Sequence, residues 1–366
     1  MDLVERLQLA PNAEIVLGAV GDERGVHVVG GAVRDVLLGR APHELDLVVE
    51  GDAVEVARRA ARRLGGRLTV HDRFGTATVS SDGFAFDLAG ARRETYPRPG
   101  ALPEVELGAS LQEDLARRDF TVNAMAVRLT DGEMTAWDAA EDDLRAGILR
   151  VLHERSFIDD PTRILRLLRY SARLGFDPDP ATDALIDPGG FATVSGDRLG
   201  RELRLLLDEP HPARQLERHG IGEALLPGFL PVDIDASPLA KLAACCTGVE
   251  DLSQRLDDLG FTAHDRKIVV AAARAPAVPD SDAELWRAFR RLPPEAAEVA
   301  GARRWLDEVR HRTLAITGDD LVAAGLRGAA VGEALERATV AMLDGNAPDR
   351  ESQLAAAVNP SRSPRA

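Results

Sequence analysis

Val26-His27-Val28-Val29-Gly30-Gly31-Ala32-Val33-Arg34-Asp35-Val36-Leu37-Leu38, followed after a short polar stretch by Glu44-Leu45-Asp46-Leu47-Val48-Val49, is the part of this 366-residue chain that decides its fold. The apolar run Val26 to Val29 predicts a strand, Ala32 to Leu38 a helix, and Leu45 to Val49 a second strand. Asp52 then caps a predicted helix over Ala53 to Leu64, which Gly65-Gly66 ends. Two more strands are expected at Thr76 to Ser80 and Phe84 to Ala89, joined by the turn residues Asp82-Gly83. This alternation of strands and helices continues to about Leu129 and indicates a mixed α/β domain.

Within that frame the Gly30-Gly31 turn leads from a strand into a helix. Two glycines there let backbone N–H groups come close to a phosphate, and a helix N-terminus favours negative charge. The same pair also serves as plain structural punctuation, and the turn alone does not decide between the two. Glu44 and Asp46, two apart at the start of the second strand, are expected on one face of it. Two carboxylates held so close repel each other unless a divalent cation lies between them, and Mg²⁺ with substrate phosphates is the usual solution in nucleotidyl transfer. A solvated strand start is the plain alternative for the pair. Asp87, opposite Phe84, Phe86 and Leu88 on its strand, either completes the acidic cluster or faces water. His43, beside the pair, reads as a structural or solvent-exposed loop histidine.

Beyond Arg150 strand signals nearly vanish. Ile164 to Leu174, Asp197 to Leu207, Pro212 to His219 and Leu239 to Cys246 carry apolar residues at helical spacing. Ala275 to Asp282 reads as a linker between helical subdomains, and Asp319 to Leu343 as a last amphipathic segment. Hydrophobic residues make up 45% of the chain, enough to bury more than one core. No apolar run reaches the ~18 residues that a membrane span needs, and Met1 to Glu14 is acidic where a signal peptide would be basic and then apolar, so a cytoplasmic protein is expected. Cys245 and Cys246 are adjacent, a spacing suited to neither a disulfide framework nor a metal site, and read as buried apolar residues. The net charge of -15 opposes nonspecific nucleic-acid binding. Arginine nevertheless supplies nearly all the cations, and its planar fork suits local phosphate and base contacts.

The glycine turn and the acidic pair, taken with Arg117-Arg118-Asp119-Phe120-Thr121-Val122-Asn123-Ala124-Met125, resemble the class II tRNA nucleotidyltransferases and bacterial poly(A) polymerases of the polymerase-β superfamily. The signature elements of that family are a GG-x-VRD turn, a D-x-D pair and an RRDFT-x-NAM segment. The likeness continues through Asp159-Asp160-Pro161-Thr162-Arg163-Ile164-Leu165-Arg166-Leu167-Leu168-Arg169, similar to an ED-x-x-R element, and reaches Ile316 to Leu321. It implies an α+β protein: an N-terminal polymerase-β-like nucleotidyltransferase head with a mixed sheet over residues 1–150, then an all-α remainder. That remainder would comprise a neck for base recognition over 151–210, a tRNA-binding body and tail over 211–358, and a disordered end over 359–366.

Carried over residue by residue, the resemblance implies catalytic carboxylates Glu44, Asp46 and Asp87, with Glu44 and Asp46 holding Mg²⁺. Gly30, Gly31 and Arg34 would meet the triphosphate, while Arg118, Asp119 and Asn123 would shape the nucleotide pocket. Asp160 and Arg163, helped by Arg166 and Arg169, would read the base edge. Independently of the family, a carboxylate and guanidinia stepping by three along one predicted helix can select C and A by hydrogen bonding without a template. A solvated arginine face is the plain alternative.

The implied partners are the tRNA acceptor end, CTP and ATP, with no membrane; the oligomeric state is left open. Addition of the complete CCA is the expected activity, with A addition or poly(A) synthesis as the alternatives. A small-molecule nucleotidyltransferase or an inactive RNA-binding homologue stands further off. The family usually has Asp where this chain has Glu44, and the extra methylene moves the carboxylate by on the order of 1 Å. Asp159 likewise replaces the family's Glu. The stretch Arg92 to Gly108 resembles a flexible loop that CC-only enzymes lack.

Overall fold

The computed structural model describes residues 3–71 and 75–359, and the chain divides into two compact units, Met1–Pro210 and His211–Ala366. In the first unit the strands are β1 (Val26–Val29), β2 (Asp46–Val49), β3 (Arg67–His71), β4 (Thr76–Ser81), β5 (Phe84–Gly90), β6 (Arg92–Thr95), β7 (Glu104–Leu107), β8 (Met125–Arg128) and β9 (Met134–Ala136). Its helices begin with α1 (Leu3–Leu7), α2 (Ala13–Val20), α3 (Gly31–Leu37), α4 (Ala53–Arg63) and α5 (Leu111–Ala116). They continue with α6 (Ala140–Ala146), α7 (Ser156–Asp159), α8 (Thr162–Leu174), α9 (Pro180–Asp183) and α10 (Gly196–Leu207). Asp52 caps α4 by accepting from the Glu55 N–H at 2.9 Å, as its place in the sequence predicts.

Seven strands form one mixed sheet in the order β3-β4-β5-β2-β1-β8-β9. Only β2 and β5 run parallel in it; the other neighbours are antiparallel. The register sorts the side chains into two faces. Val28, Leu47, Leu88 and Ala77 lie side by side across four strands, all at most 2% exposed. The alanine-rich stripe of α4 covers this face, with Ala53 over Gly90. One step along each strand the side chains point the other way, and the row becomes Val29, Asp46, Asp87, Thr78 and Thr69. Here α5 packs Leu111 and Leu115 over Val29, Val48 and Ala126. The Asp46–Asp87–Thr78 part of the row stays uncovered, with both carboxylates exposed.

In the second unit, helices Asp282–Phe289 and Ala329–Leu343 contribute to a cluster around Phe289 and Trp305. The segment expected as one amphipathic run over Asp319 to Leu343 is two helices, Gly318–Ala323 and Ala329–Leu343. Gly325 and Gly328 separate them with φ of +94° and +57°, values that a continuing helix cannot adopt. The stretch after Arg274 is non-helical up to Ser281, which caps the helix beginning at Asp282. Cys245 and Cys246 are buried and free. No described helix is long and apolar enough to cross a membrane. Of the expected disordered end, Asn359 lies just past the last helix and residues 360–366 lie outside the described residues.

Candidate active site

The site is built where β1 ends. Gly30 has φ +71° and ψ −129°, a conformation closed to residues with a Cβ. A Cβ there would lie 2.8 Å from Arg118 Nη1 and 3.9 Å from Asp46 Oδ2, so the glycine lets a guanidinium and a carboxylate approach the turn together. The Gly30 N–H donates to the Met125 carbonyl at 3.0 Å, which ties the turn to β8. The backbone donors that remain for an anion are those of the first residues of α3, beginning at Gly31.

The strand starts one residue later than the sequence pattern indicates. β2 begins at Asp46, opposite Val29, because Gly30 turns away and leaves Leu45 and Glu44 no strand to pair with. Glu44 is therefore a loop residue rather than a strand neighbour of Asp46, although its charge still acts on Asp46. Asp46 keeps a solvent-exposed surface, yet the protein packed around it still desolvates its carboxyl, the main cause of a carboxyl held above the ordinary range. The Glu44 charge adds to it, Arg118 opposes it, and Asp87 adds a smaller push. Asp46 thus feels two further carboxylates: Glu44 through its charge, and Asp87, which lies beside it in the β2–β5 register rather than pointing away. Thr78 Oγ1 donates to Asp87 Oδ1 at 2.5 Å and fixes it. His43 lies exposed in the preceding loop.

These are hard oxygen donors that repel one another, the chemistry that suits Mg²⁺. Among the described residues no group of three side chains forms a ready-made metal cage.

The segment after α5 presents three consecutive residues in three directions. Arg118 turns to the glycine turn and is steadied by Asp114 Oδ2 at 3.0 Å, while its buried Nε has no hydrogen-bond partner among the described residues. Asp119 is buried and accepts from the Phe120 N–H at 2.8 Å, Asn123 Nδ2 at 3.0 Å and Arg166 Nε at 2.8 Å. Burial alone would raise its carboxyl, but the Arg166 charge and the Asn123 and Arg166 hydrogen bonds outweigh it and hold the carboxyl well below the usual range. The backbone carbonyl of Arg117 accepts from Arg163 Nη2 at 2.8 Å.

Arg34 is only 3% exposed and does not project outward. It donates to Asn123 Oδ1 at 2.7 Å and to Asp35 Oδ1 at 2.9 and 2.8 Å, beneath Gly31. Asn123, accepting from Arg34 and donating to Asp119, joins the turn to the segment after α5.

The expected helical stripe is split. Asp160 is not on α8; it sits at the corner after α7, because Pro161 opens a new helix. Its Oδ1 accepts from the Thr162 N–H at 3.1 Å, Thr162 Oγ1 at 2.6 Å and Arg198 Nη2 at 2.8 Å, whereas no bond falls on Oδ2 from the described residues. Arg163, Arg166 and Arg169 do lie along α8, and none forms a solvated face. Arg166 pairs with Asp119, and both Arg166 and Arg169 approach Glu202 on α10, at 3.5 and 3.6 Å. Arg163 differs: it is 5% exposed, its hydrogen-bond partners are Ser156, Tyr96 and the Arg117 carbonyl, and it makes no ion pair with a described carboxylate. A buried cation with neutral partners is the member of the set left most open to an electron-rich ligand.

The stretch expected as a flexible loop is a two-stranded hairpin, β6 with β7, whose connection lies against the α7–α8 corner. The Gly100 N–H points to the carbonyls of Ile158 and Asp159 at 3.3 and 3.2 Å, and Arg198 Nη1 donates to the Gly100 carbonyl at 2.8 Å.

Residues 26–150 match the family described as the poly A polymerase head domain. An A-adding tRNA nucleotidyltransferase from Geobacter sulfurreducens is 35% identical over 93% of this chain and 46% of its own length. One of the same name from Aquifex aeolicus is 44% identical over 56% of this chain and 26% of its own. The Thermotoga maritima CCA-adding enzyme complexed with tRNA has the same fold at a TM-score of 0.76 and 27% identity, covering 98% of each chain. The chain belongs to the class II tRNA nucleotidyltransferase family. It spans about half or less of the length of the curated relatives named here.

Membership accounts for the fold anticipated from the family resemblance, a mixed-sheet head followed by helices. It does not by itself account for the partners that the sequence reading missed in this class II protein: Asp114, Glu202, Arg198, Thr78 and Tyr170. Of these only Asp114 was open to inference, since it lies four residues before Arg118 at the end of a capped helix. The others reach the site from separate elements, and no local spacing marks them.

Proposed function

We propose that the protein transfers AMP from ATP to the 3′ end of tRNA. The observation that carries nucleotidyl transfer is the meeting of the Gly30 turn, the Arg118 guanidinium and the Asp46 carboxylate, with Asp87 one strand away. In this reading the RNA 3′-hydroxyl attacks the α-phosphorus and pyrophosphate leaves in line. The α3 N-terminus and Arg118 bind the phosphates, while Asp119 and Asn123 keep Arg118's segment in register with the turn. Asp160, through its open Oδ2, accepts from the exocyclic amine of adenine or cytosine, and the forked donors of Arg163 meet the ring acceptors. Arg166 and Arg169 act from behind these groups. Asp46 and Glu44 would hold Mg²⁺, with Asp87 alongside. When bound, the ion supplies charge neutralisation at the reacting oxygens and lowers the pKa of the attacking hydroxyl.

The identity to A-adding relatives, 35% and 44%, favours A addition over the complete CCA expected from the sequence. A second reading, full CCA addition, draws support from the end-to-end likeness to the Thermotoga maritima enzyme. Labelled CTP and ATP offered with Mg²⁺ to tRNAs ending before CCA, after one C and after both Cs separate the two. Incorporation of A alone, and only on the CC-ending substrate, is the expected result. C, C and then A on the shortest substrate would establish the second reading, and no incorporation on any substrate would refute both.

A further inference from the structure

Tyr170, on α8, belongs to none of the motifs that mark the site, yet three of the site's arginines meet on it. The guanidinium carbons of Arg34, Arg166 and Arg169 lie 5.4, 5.8 and 5.2 Å from the centre of its ring. Phe120 packs edge-on against the same ring at 5.8 Å and 85°. The hydroxyl accepts from Arg166 Nη2 at 3.3 Å, and the residue is 8% exposed.

Three guanidinia gathered around one buried ring, two of them buried and Arg166 part-exposed, repel one another unless each has a counter-charge and a surface to lie on. The counter-charges are Asp35 for Arg34, Asp119 for Arg166, and Glu202 between Arg166 and Arg169. Those carboxylates do not supply the surface, and for Arg169 the pair is loose. Its closest approach to Glu202 is 3.6 Å, and Arg169 Nε and Glu202 Oε2 both lack a hydrogen-bond partner among the described residues. The electron-rich ring is what remains to hold it. The consequences run outward from there. Arg34 underlies Gly31 and binds Asn123; Asn123 binds Asp119; Asp119 binds Arg166, which returns to the ring. Tyr170 closes a loop of contacts joining the glycine turn, the segment after α5, and α8.

We propose that Tyr170 is a positioning residue for the nucleoside triphosphate. By holding Arg34 and Arg166 at fixed places it keeps the triphosphate side and the base side of the site in register, without touching the nucleotide. This rests on the functional reading above, in which the turn and α8 face the same nucleotide. The active element is the π face of the ring rather than its hydroxyl.

The test uses the full chain with Tyr170→Phe, Tyr170→Leu, and phenylalanines carrying one, two and three ring fluorines at position 170. Fluorine drains the ring face while nearly preserving its shape. ATP binding in the absence of RNA is measured by calorimetry, and the KM for ATP and for CC-ending tRNA by incorporation. The expected result is a Tyr170→Phe variant within about twofold of wild type. Tyr170→Leu should show an ATP KM about tenfold higher with the tRNA KM unchanged, and ATP affinity should fall stepwise with each fluorine. A flat fluorine series would overturn the proposal, whether or not Tyr170→Leu folds. So would a Tyr170→Phe defect as large as that of Tyr170→Leu, or a parallel rise in the KM for ATP and for tRNA. A wild type that binds ATP but incorporates nothing would refute the functional reading and leave the fluorine series to decide this one. A wild type that neither binds nor incorporates ATP would overturn both.

Discussion

Replacing Asp119 by asparagine exchanges one oxygen for an amide nitrogen at the centre of the site, with no change in shape. In the wild type Oδ1 accepts from Phe120 N–H and Asn123 Nδ2, and Oδ2 accepts from Arg166. An asparagine oxygen can serve only one of these sides. If it faces Phe120 and Asn123, its amide meets Arg166 donor against donor; if it faces Arg166, it meets Asn123 donor against donor. Breaking a buried ion pair by removing one partner costs about 3–5 kcal/mol. The Arg166 side chain is 31% exposed and keeps Glu202 at 3.5 Å, which places the cost near the lower end, about 3 kcal/mol. That is roughly a hundredfold in an equilibrium constant. Hydrogen–deuterium exchange read by mass spectrometry locates it. Peptides covering residues 117–128 should lose about two orders of magnitude of protection, while peptides covering 283–309, in the second unit, stay unchanged.

The same variant tests the electrostatics through pH. The folded-state carboxyl of Asp119 lies below the unfolded value, so its contribution is fully present above the unfolded value, begins to decline as pH falls past it, and is lost as pH falls through the folded one. Wild-type protection should therefore decline on acidification from about pH 5, and Asp119→Asn should flatten that decline. Protection changed by less than about fivefold, or an unaltered acid response, would refute the argument that Arg166 and Asp119 form the tie between α8 and the site.

Gly30→Ala imposes a Cβ at φ +71° and displaces Arg118, and should cost about 1–3 kcal/mol of stability together with at least a hundredfold in incorporation; denaturant unfolding and single-turnover rates read the two. Because Glu44 sits in a loop that can absorb its extra methylene, Glu44→Asp should change the incorporation rate by less than about tenfold, whereas Glu44→Gln should lower it by about a hundredfold; a gain above a hundredfold in Glu44→Asp would mean a decayed site. At Gly100, φ is +68° and a Cβ would fall 2.5 Å from the Thr193 carbonyl oxygen, so Gly100→Ala should free the hairpin connection and speed cleavage after the exposed Glu104 by a glutamate-specific protease, read by timed proteolysis. Burial pushes the Cys245 thiol up to about 11 and the Cys246 thiol higher still, so iodoacetamide at neutral pH should label neither in the native protein and both after unfolding, as counted by intact mass.

What the sequence allowed and what it withheld follow one physical division. Local elements were legible wherever a single segment carries its own cause: the apolar run of β1, the Asp52 cap of α4, and the Asp82-Gly83 turn, whose residues take φ of +46° and +85°. β3, β6 and β7 escaped notice because their residues are mostly exposed and lack a strong period-two apolar pattern. The site was legible as a set of residues but not as a geometry. The pattern offered Asp160 through Arg169 as one stripe, yet Pro161 separates the carboxylate from the helix that carries the arginines.

The deeper gap concerns charge. Spacing alone sets the arginines of α8 against one another and calls for an anionic ligand. Their actual partners come from elsewhere or from the helix itself: Asp119 and Glu202 answer Arg166, while Arg169 has Glu202 at 3.6 Å and the Tyr170 ring. The argument for a ligand therefore narrows to Arg163, which has neutral partners, and Arg118, which Asp114 holds at the glycine turn but whose buried Nε has no hydrogen-bond partner among the described residues. One of them lies on α8 and the other beside the carboxylates. In the proposed function a nucleoside triphosphate answers both, its base accepting from Arg163 and its phosphates meeting Arg118.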